Sequence, residues 1–459
     1  MTRSQTVFMV SALIVSVVAF QLNTTMLIPA IHAINEDLGH GAFATMATYF
    51  SLAGAVSSVV LIRWSDYVGR KRVLLGGMAV MCVGTVLCIA STSLGLMVVG
   101  RILQGGSVIT FGLAFMIMRE HLSGPAFGTC CGLVTAINGG VAGFDSLLGG
   151  VMVDRLGYRS IFVLSLIVGV LALGFASSAV PTDHAARGGA DRMDWWGAVL
   201  LSLAAIGINL FLSHGGRDGW MSPAALGWIV TGLVALVALI VVDSRVSHPL
   251  MAVEHMRSRE AWPLIVATIL SIASFMTVLT FIIPSIGEDD DSGFALTGTM
   301  TALLLLTPAS VVQLVAGPLA GRVAVRIGFV TILRAGAASS VVVVALLAIF
   351  VENLTMIVIL MMVFGFTCTG VLLTALSTLG VVQAPDEEPG SLPGIAGVAF
   401  GIGGSAGFAW AGPVVGTGTV SSFQTALWTC VLLGVLALVF SLILKPKPGP
   451  VVPTHGHVA

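Results

Sequence analysis

Long runs of apolar residues, separated by short polar segments, extend along almost the whole chain. A helix needs about 20 apolar residues to cross the roughly 30 Å hydrocarbon core of a bilayer. By that criterion the pattern predicts fourteen transmembrane helices, near residues 7–30, 43–62, 73–91, 95–118, 126–152, 160–180, 195–213, 223–243, 262–286, 295–318, 330–350, 354–381, 392–415 and 422–444. The expected fold class is therefore an all-α integral membrane protein.

The basic residues are distributed unevenly between the two sides that this pattern defines. Sixteen of the 20 Lys and Arg residues fall in the terminal segments and in the loops on the same side. The other side holds Arg155, Arg159 and Arg217, and Arg101 lies within a span. Because Lys and Arg are enriched in cytoplasmic loops, both termini are expected in the cytoplasm. The expected location is the cell inner (plasma) membrane, crossed many times.

Composition narrows the function classes further. Of all residues 57% are hydrophobic and 9% are charged, with a net charge of −1, which argues against a soluble protein and against a nucleic-acid partner. The nine histidines are scattered, and the six cysteines lie inside apolar runs without metal-ligand spacing. The sequence has no phosphate-binding Gly-Lys-Ser/Thr loop. We therefore expect no catalytic residues, no metal, no cofactor and no ATP-driven transport.

A short repeat indicates how the helices are grouped. Arg63 and Gly69 lie six residues apart after the second predicted span, and Arg322 and Gly328 keep that separation after the tenth. If these loops correspond, spans 1–6 match spans 9–14. The expected domains are an N-terminal six-helix bundle over 1–182, two inserted helices with flanking loops over 183–260, a C-terminal six-helix bundle over 261–445 and a disordered cytoplasmic tail over 446–459. Two such bundles are typical of a transporter that works by alternating access.

The loop after the second span carries the most specific motif. It reads Ile62-Arg-Trp-Ser-Asp66-Tyr-Val-Gly69-Arg70-Lys71-Arg72-Val-Leu74. It resembles the hallmark loop of the major facilitator superfamily, Gly-x-Leu-Ala-Asp-Arg-x-Gly-Arg-Lys-x-x-Leu, but has Ile62 in place of the first Gly. The whole chain is most similar to the fourteen-span drug:proton antiporter branch. The resemblance implies that Asp66, Gly69, Arg70 and Lys71 form a conformational latch, with Asp66 near a helix N-terminus of the other bundle; alternatively, these charges only set topology.

The fourth span contains Arg101 and Gln104 in the order Arg-Ile-Leu-Gln-Gly-Gly-Ser. This is similar to the superfamily pattern Arg-x-x-Gln-Gly-x-Gly, which implies a role for Arg101 in proton coupling. An Arg inside an apolar run costs about 2.5–3.5 kcal/mol on insertion scales, so its side chain needs water or a partner. On the alternative interpretation, Arg101 extends to the nearer membrane surface.

The fifth span contains Asp145, the one acidic residue in the interior of a predicted span, since Asp243 is the last residue of the eighth. The antiporter branch has Gly-Pro where this chain has Asp145-Ser146, and the following Gly149-Gly150 pair is kept. An acidic residue within a membrane span is a functional candidate by default. We predict that Asp145 carries or gates the coupling proton together with Arg101, unless it serves helix packing or reaches outer water.

Neutral amides supply candidates for the substrate path. Asn138 lies on nearly the same helix face as Asp145, and Gln104 lies close to Arg101. Asn23 lies in the first span, where the drug-exporter branch usually has an acidic residue. We expect these three amides to contribute to a polar pocket.

The function predicted first is proton-coupled export of a small amphipathic or cationic compound, as in drug or metabolite efflux. The loss of Gly-Pro favours an alternative, proton-linked uptake of a small metabolite. An integral-membrane enzyme would need clustered catalytic side chains, which the sequence lacks. The expected partners are a small-molecule substrate, protons and the lipid bilayer, and the protein is expected to act as a monomer.

Overall fold

The computed structural model of the protein describes residues 3–39, 42–182, 193–243, 256–289, 292–385, 389–416 and 418–447. These residues fold mainly into helices joined by turns and short loops. A helix pairs its backbone N–H and C=O groups internally, which apolar segments require in lipid. The predicted loops over 183–192 and 244–255, and the predicted tail from residue 448 onward, lie outside the described residues.

The N-terminal half is built from eight α-helices among its described residues. They are α1 (Arg3–Thr25), α2 (Ile31–Leu38), α3 (Ala42–Val68), α4 (Arg70–Ala90), α5 (Leu94–Gly105), α6 (Ile109–His121), α7 (Gly124–Leu156) and α8 (Arg159–Ala179). Short 3₁₀ turns at Ile28–Ala30 and Gly106–Val108 lead from α1 to α2 and from α5 to α6. The fourth predicted span is thus α5 and α6 joined by a tighter turn.

An inserted pair of helices separates the two halves. The pair and the C-terminal half comprise α9 (Trp195–Asp218), α10 (Pro223–Asp243), α11 (Trp262–Ser271), α12 (Ile283–Glu288), α13 (Gly298–Thr301), α14 (Thr307–Ile327), α15 (Phe329–Ile349), α16 (Leu354–Phe364), α17 (Leu373–Val382), α18 (Ser391–Val415) and α19 (Val420–Ile443). In the described part of the C-terminal half, four π-helical segments lie within spans, at Ile272–Met276, Val278–Ile282, Ala302–Leu306 and Gly365–Leu372. Such segments often occur at functional sites in helices.

Thirteen helical segments of the described chain are long and apolar enough to cross a membrane. They match thirteen of the fourteen predicted spans, and the protein is a multi-pass membrane protein. The remaining predicted span, 126–152, lies inside α7, an unbroken helix of 33 residues. At 1.5 Å per residue this helix is about 50 Å long.

Apolar side chains form separate cores in the two halves. One buried cluster lies within residues 261–444, and two others lie mainly within residues 9–180. A fourth cluster joins α9 and α10 to both halves: Ala198 and Leu201 of α9 pack with Val59 of α3 and Val398 of α18. The inserted pair therefore lies across the seam between α3 and α18.

The two loops of the predicted repeat have nearly the same backbone. Gly69 has φ 100° and ψ 137°, and Gly328 has φ 95° and ψ 138°. Each glycine ends one helix and immediately precedes the next, and its positive φ is readily adopted by glycine alone. Gly219, which follows α9, has almost the same backbone at φ 95° and ψ 141°, so the glycine conformation alone does not test the predicted correspondence between the second and tenth spans.

Candidate functional site

Asp66, near the end of α3, joins the two halves of the protein. Its Oδ2 atom accepts a 2.9 Å hydrogen bond from the backbone N–H of Gly390 and a 3.2 Å bond from Arg63. Its Oδ1 atom lies 3.7 Å from Nη2 of Arg70. Gly390 immediately precedes α18, so the carboxylate lies at a helix N-terminus of the opposite half, where negative charge is favoured. We call this end of the molecule the latch end.

The charges around Asp66 are buried and paired. Asp66, Arg63 and Arg70 are each at most 5% exposed. Arg70 also pairs with Glu120 and donates to the carbonyl of Met116 at 3.4 Å, which connects the loop to α6. Removing one partner from such a set leaves a buried charge uncompensated, which typically destabilises by about 3–5 kcal/mol. The motif did not identify Glu120, because 50 residues separate it from Arg70.

Further contacts hold the latch end closed. Arg119 of α6 donates a 2.7 Å hydrogen bond to the carbonyl of Val381 in α17 of the other half. Gly69 provides the positive-φ turn between α3 and α4, and Lys71 is half-buried at the start of α4. Of the four predicted latch residues, Asp66 therefore makes the contact between halves, and Arg70 supports it.

The halves separate with distance from the latch end. On one face of α18, a β-carbon at Gly397 would lie 2.9 Å from Cβ of Ser58 in α3. Further along that face, β-carbons at Gly401 and Gly404 would have no neighbouring atom within 4 Å. Phe408, one turn beyond, is 50% exposed. The face that closes against α3 at the latch end is thus open farther along the helix.

Arg101 is buried inside the N-terminal half rather than extended to the surface. It is 4% exposed and donates to the carbonyl of Asn23 at 2.9 Å and to Oε1 of Gln104 at 2.7 Å. Its guanidinium group lies 4.2 Å from the ring centroid of Phe50. Gln104 in turn donates to Thr85 at 2.9 Å. The alternative that Arg101 reaches the membrane surface is therefore wrong, because its Nη1 atom has two internal acceptors and its guanidinium group lies over an aromatic ring. Its Nε atom is buried without a hydrogen-bond partner among the described residues.

Asp145 is 3% exposed and accepts a short hydrogen bond of 2.5 Å from Oγ1 of Thr25. Gln21 donates to the same hydroxyl at 3.2 Å. Among the described residues, Arg101 makes no hydrogen bond or ion pair with Asp145. The end of α1 connects the two groups instead, since Asn23 binds Arg101 and Thr25 binds Asp145.

The predicted amides occupy two places. The side chain of Asn23 donates to the carbonyl of Ala19 at 2.8 Å and lies 3.5 Å from the sulfur of Met81. Its Oδ1 atom, like that of Asn138, is buried without a hydrogen-bond partner among the described residues. The structure therefore brings Asn23 and Gln104 together around Arg101, whereas Asn138 lies on α7, seven residues before Asp145. Sequence reasoning missed Thr25 because a single neutral hydroxyl carries no motif.

Two helical halves that touch at one end and polar groups buried in apolar spans are typical of a membrane carrier. The chain matches the family model "Major Facilitator Superfamily" over residues 13–408, and it belongs to that superfamily. It is a secondary transporter, and its fold and family are those of carriers rather than enzymes.

Relatives with stated functions include a nucleoside transporter and multidrug resistance proteins. The uridine/deoxyuridine transporter of Lactococcus lactis subsp. cremoris (strain MG1363) is 31% identical over 408 residues, which cover 86% of this chain and 84% of that protein. The multidrug resistance protein Stp of Mycobacterium tuberculosis (strain CDC 1551 / Oshkosh) is 26% identical over 387 residues, covering 83% and 70%. The structure of the human organic anion transporter MFSD10 aligns with a TM-score of 0.66 at 14% identity, covering 95% and 99%, and shows the shared fold.

Proposed function

We propose that the protein is a proton-coupled transporter in which Asp145 carries or gates the proton. The observation that carries this proposal is the burial of Asp145 against Thr25, on the helix that also binds Arg101. Acidic residues in membrane spans commonly serve as proton relays. Because Asn23 and Thr25 are two residues apart on α1, a movement of α1 would alter the surroundings of both charged groups. Arg101 then acts on Asp145 through α1 rather than by direct pairing.

The membrane arrangement follows from the same proposal. Counting α7 gives fourteen spans, with two six-helix bundles over 1–182 and 261–445 and an inserted pair within 183–260. The excess of basic residues favours cytoplasmic termini in the plasma membrane, which places the latch end on the cytoplasmic side. One chain contains both bundles, so a monomer suffices for alternating access.

For the substrate, we propose uptake of a small polar, uncharged metabolite of the nucleoside class. The Oδ1 atoms of Asn23 and Asn138 are buried without a hydrogen-bond partner among the described residues, so they can accept from a base N–H or a sugar hydroxyl. Gln104 is held in place by Arg101 and Thr85. The similarity to a uridine/deoxyuridine transporter over most of both chains supports this substrate class. The absence of the antiporter Gly-Pro before Gly149 also favours uptake over export.

Export of an amphipathic compound is the second candidate function. Several relatives are named as multidrug or antibiotic exporters. On the open face of α18, Phe408 packs edge-on against Phe281 with ring centroids 5.6 Å apart. An aromatic pair at this position could bind a flat apolar group as readily as a base.

Transport in proteoliposomes distinguishes these functions. A proton moving inward with a neutral nucleoside carries one positive charge, so a potential of 100 mV, negative inside, contributes about 2.3 kcal/mol to uptake. We expect radiolabelled uridine to accumulate under an imposed pH gradient and this potential. Export would instead remove a fluorescent cationic dye from the lumen, and uridine would not accumulate.

The variant Asp145→Asn tests the coupling residue. It cannot take up or release a proton, so it should lose gradient-driven accumulation while it retains uridine binding and exchange across the membrane. Glu36→Gln removes an exposed carboxyl and serves as the control, with transport expected to match that of the unmodified protein. If Asp145→Asn still concentrates uridine, the coupling site lies elsewhere.

A further inference from the structure

Several buried hydroxyl groups lie where the two halves meet near the latch end. Thr374 and Thr378 of α17 are both fully buried, and their Oγ1 atoms have no hydrogen-bond partner among the described residues. The same holds for Oγ of Ser377 and for Oγ1 of Thr135 on α7. A buried polar group without a partner is unfavourable, because it has lost its hydrogen bonds to water and gained none in exchange. Four of them in one region therefore need a reason.

The hydroxyl-bearing face of α17 is turned toward the N-terminal half. Thr374, Ser377, Thr378 and Val381 follow the spacing of one helix face. Val381 belongs to the apolar core of the N-terminal half. Thr378 lies near the thiol of Cys131 on α7, but a thiol is a weak hydrogen-bonding group and does not count as a partner for the hydroxyl. The hydroxyls thus lie at the interface of α17 with α7, and not inside the C-terminal core.

The opposing face of α7 continues from this interface toward Asp145. Cys131, Thr135, Asn138 and Asp145 lie at intervals of four, three and seven residues, which keeps them near one face of the helix. Thr135 and Asn138 each have a buried side-chain oxygen without a partner among the described residues. A line of polar groups therefore runs along α7 from the contact with α17 to the proposed coupling residue.

We propose that Thr374, Ser377, Thr378 and Thr135, which we call the hydroxyl seam, are a closed water path. With the latch end shut, the hydroxyl seam is dry and isolates Asp145 from water at that end. When the halves separate there, water enters, hydrates these groups and reaches Asp145 along α7. The energy of burying unpaired hydroxyls favours this opening. The inference rests on the proposed role of Asp145.

Thiol accessibility tests the path without using a substrate. Cys131, at one end of the hydroxyl seam, is kept as the single cysteine by changing Cys82, Cys88, Cys130, Cys368 and Cys430 to Ala. In a second protein Cys131 is also changed to Ala, and Asn138→Cys places the thiol nearer to Asp145. The rate of alkylation by N-ethylmaleimide in membranes then reports how often water and reagent reach each position.

The variant Thr374→Val with Ser377→Ala removes two unpaired hydroxyls without altering Thr378, the neighbour of Cys131. Because the dry, closed state no longer buries them, we expect alkylation at both positions to slow by about fivefold or more. Thr374→Ser with Ser377 unchanged keeps both hydroxyls, so it should be alkylated at the original rate. Thr301→Val is the matched control, since its hydroxyl is also buried and unpaired among the described residues but lies beside Gly287 within the C-terminal half.

The outcomes separate the two proposals. Unchanged alkylation in the double variant, or an equal decrease in Thr301→Val, would overturn the water path. Slower alkylation together with uridine accumulation in Asp145→Asn would retain the path and reject Asp145 as the coupling residue. Thermal unfolding measured on each detergent-solubilised variant checks that slower alkylation does not reflect misfolding.

Discussion

The two halves meet at two interfaces that the predicted repeat would make equivalent, and these interfaces use opposite chemistry. Asp66 lies three residues after Arg63 and binds the N–H that precedes α18. Val325 lies three residues after Arg322, and its side chain packs against the first turns of α7. Arg63 is buried, whereas Arg322 is exposed. One interface is closed by charge, and its counterpart is closed by apolar contact.

Glycine allows the backbones to come close at the second interface. On α7, Gly128 and Gly132 face the carbonyl groups of Gly321 and Gly317 on α14 so closely that a β-carbon would overlap them. Gln313 adds a 3.0 Å hydrogen bond to the carbonyl of Thr135. Small residues four apart permit such close helix packing in membranes. The contact between α3 and α18 therefore depends on the charge of Asp66, whereas the contact between α7 and α14 depends on close packing of glycines.

The largest effect is expected where shape holds the halves together. In Gly132→Ala the new methyl group would overlap the carbonyl of Gly317, so α7 and α14 must move apart. We expect overpacking to cost at least about 1–3 kcal/mol and to reduce the yield of folded protein severely. The measurement is size-exclusion recovery after solubilisation. Gly174→Ala, whose β-carbon would meet no atom within 4 Å, should fold normally, and normal recovery of both variants would contradict the assignment.

The charged interface should fail differently. Asp66→Asn removes the charge that Arg63 and Arg70 share, and leaving those buried cations without their partner destabilises the latched state. We expect turnover to fall at least about tenfold while the yield and the affinity for uridine change little, because the latch sets conformational populations and does not contact substrate. Initial rates and binding in proteoliposomes provide the measurement. Turnover at the rate of the unmodified protein would exclude a latch role.

A smaller effect should follow from crowding the same contact. A β-carbon at Gly390 would lie 2.6 Å from Oδ2 of Asp66 and 2.9 Å from the carbonyl of Ile62. Gly390→Ala should therefore reduce turnover severalfold while it keeps every charge. Gly401→Ala, on the same helix but facing open space, is the matched control. Equal rates in the two variants would show that the distance between α3 and α18 does not limit transport.

The smallest effect is expected for an ion pair that stays within one half. Asp37 of α2 accepts hydrogen bonds from Tyr158 at 2.5 Å and Arg159 at 2.9 Å, far along the chain. The hydrogen bond from Tyr158 and then that from Arg159 lower the pKa of Asp37, and burial together with this carboxylate raises the pKa of Tyr158 to about 12. Asp37→Asn should lower the melting temperature slightly and leave turnover unchanged.

The sign of the pH dependence follows for the difference in melting temperature between Asp37→Asn and the unmodified protein. Because the folded-state pKa of Asp37 is depressed, its contribution is present above the ordinary value of 3.8 and is lost as the pH falls through the folded-state pKa. The melting temperatures of Asp37→Asn and the unmodified protein should therefore differ at pH 7 and converge in acid below about pH 4. A difference that persists at the lowest pH would indicate that Asp37 acts through packing.

Much of the helical scaffold could be predicted from the sequence, because each helix that crosses the lipid needs a run of about 20 apolar residues. Apolar length located thirteen helical spans, and the motif located Asp66 at a helix N-terminus. The hydrogen-bond partner of Asp66 is the backbone N–H of Gly390, 324 residues later. A glycine without a side chain gives the sequence no sign of such a role. Thr25 and Thr85 were missed for a related reason, since hydroxyls in apolar helices usually bond to their own backbone. The π-helical segments were also missed, because a local change of helical pitch leaves the hydrophobic pattern intact.

The position of the inserted pair has a consequence for how compounds could enter. Helix α9 packs on α3 through Ala198 and Leu201, and its Asn209 accepts a 2.6 Å hydrogen bond from Ser405 of α18. Lipid chains are therefore excluded from this side of the seam. Along the described part of α9, a compound dissolved in the bilayer cannot pass directly between α3 and α18 on this side. That restriction disfavours the direct entry of hydrophobic compounds from the bilayer, and it does not affect a hydrated solute.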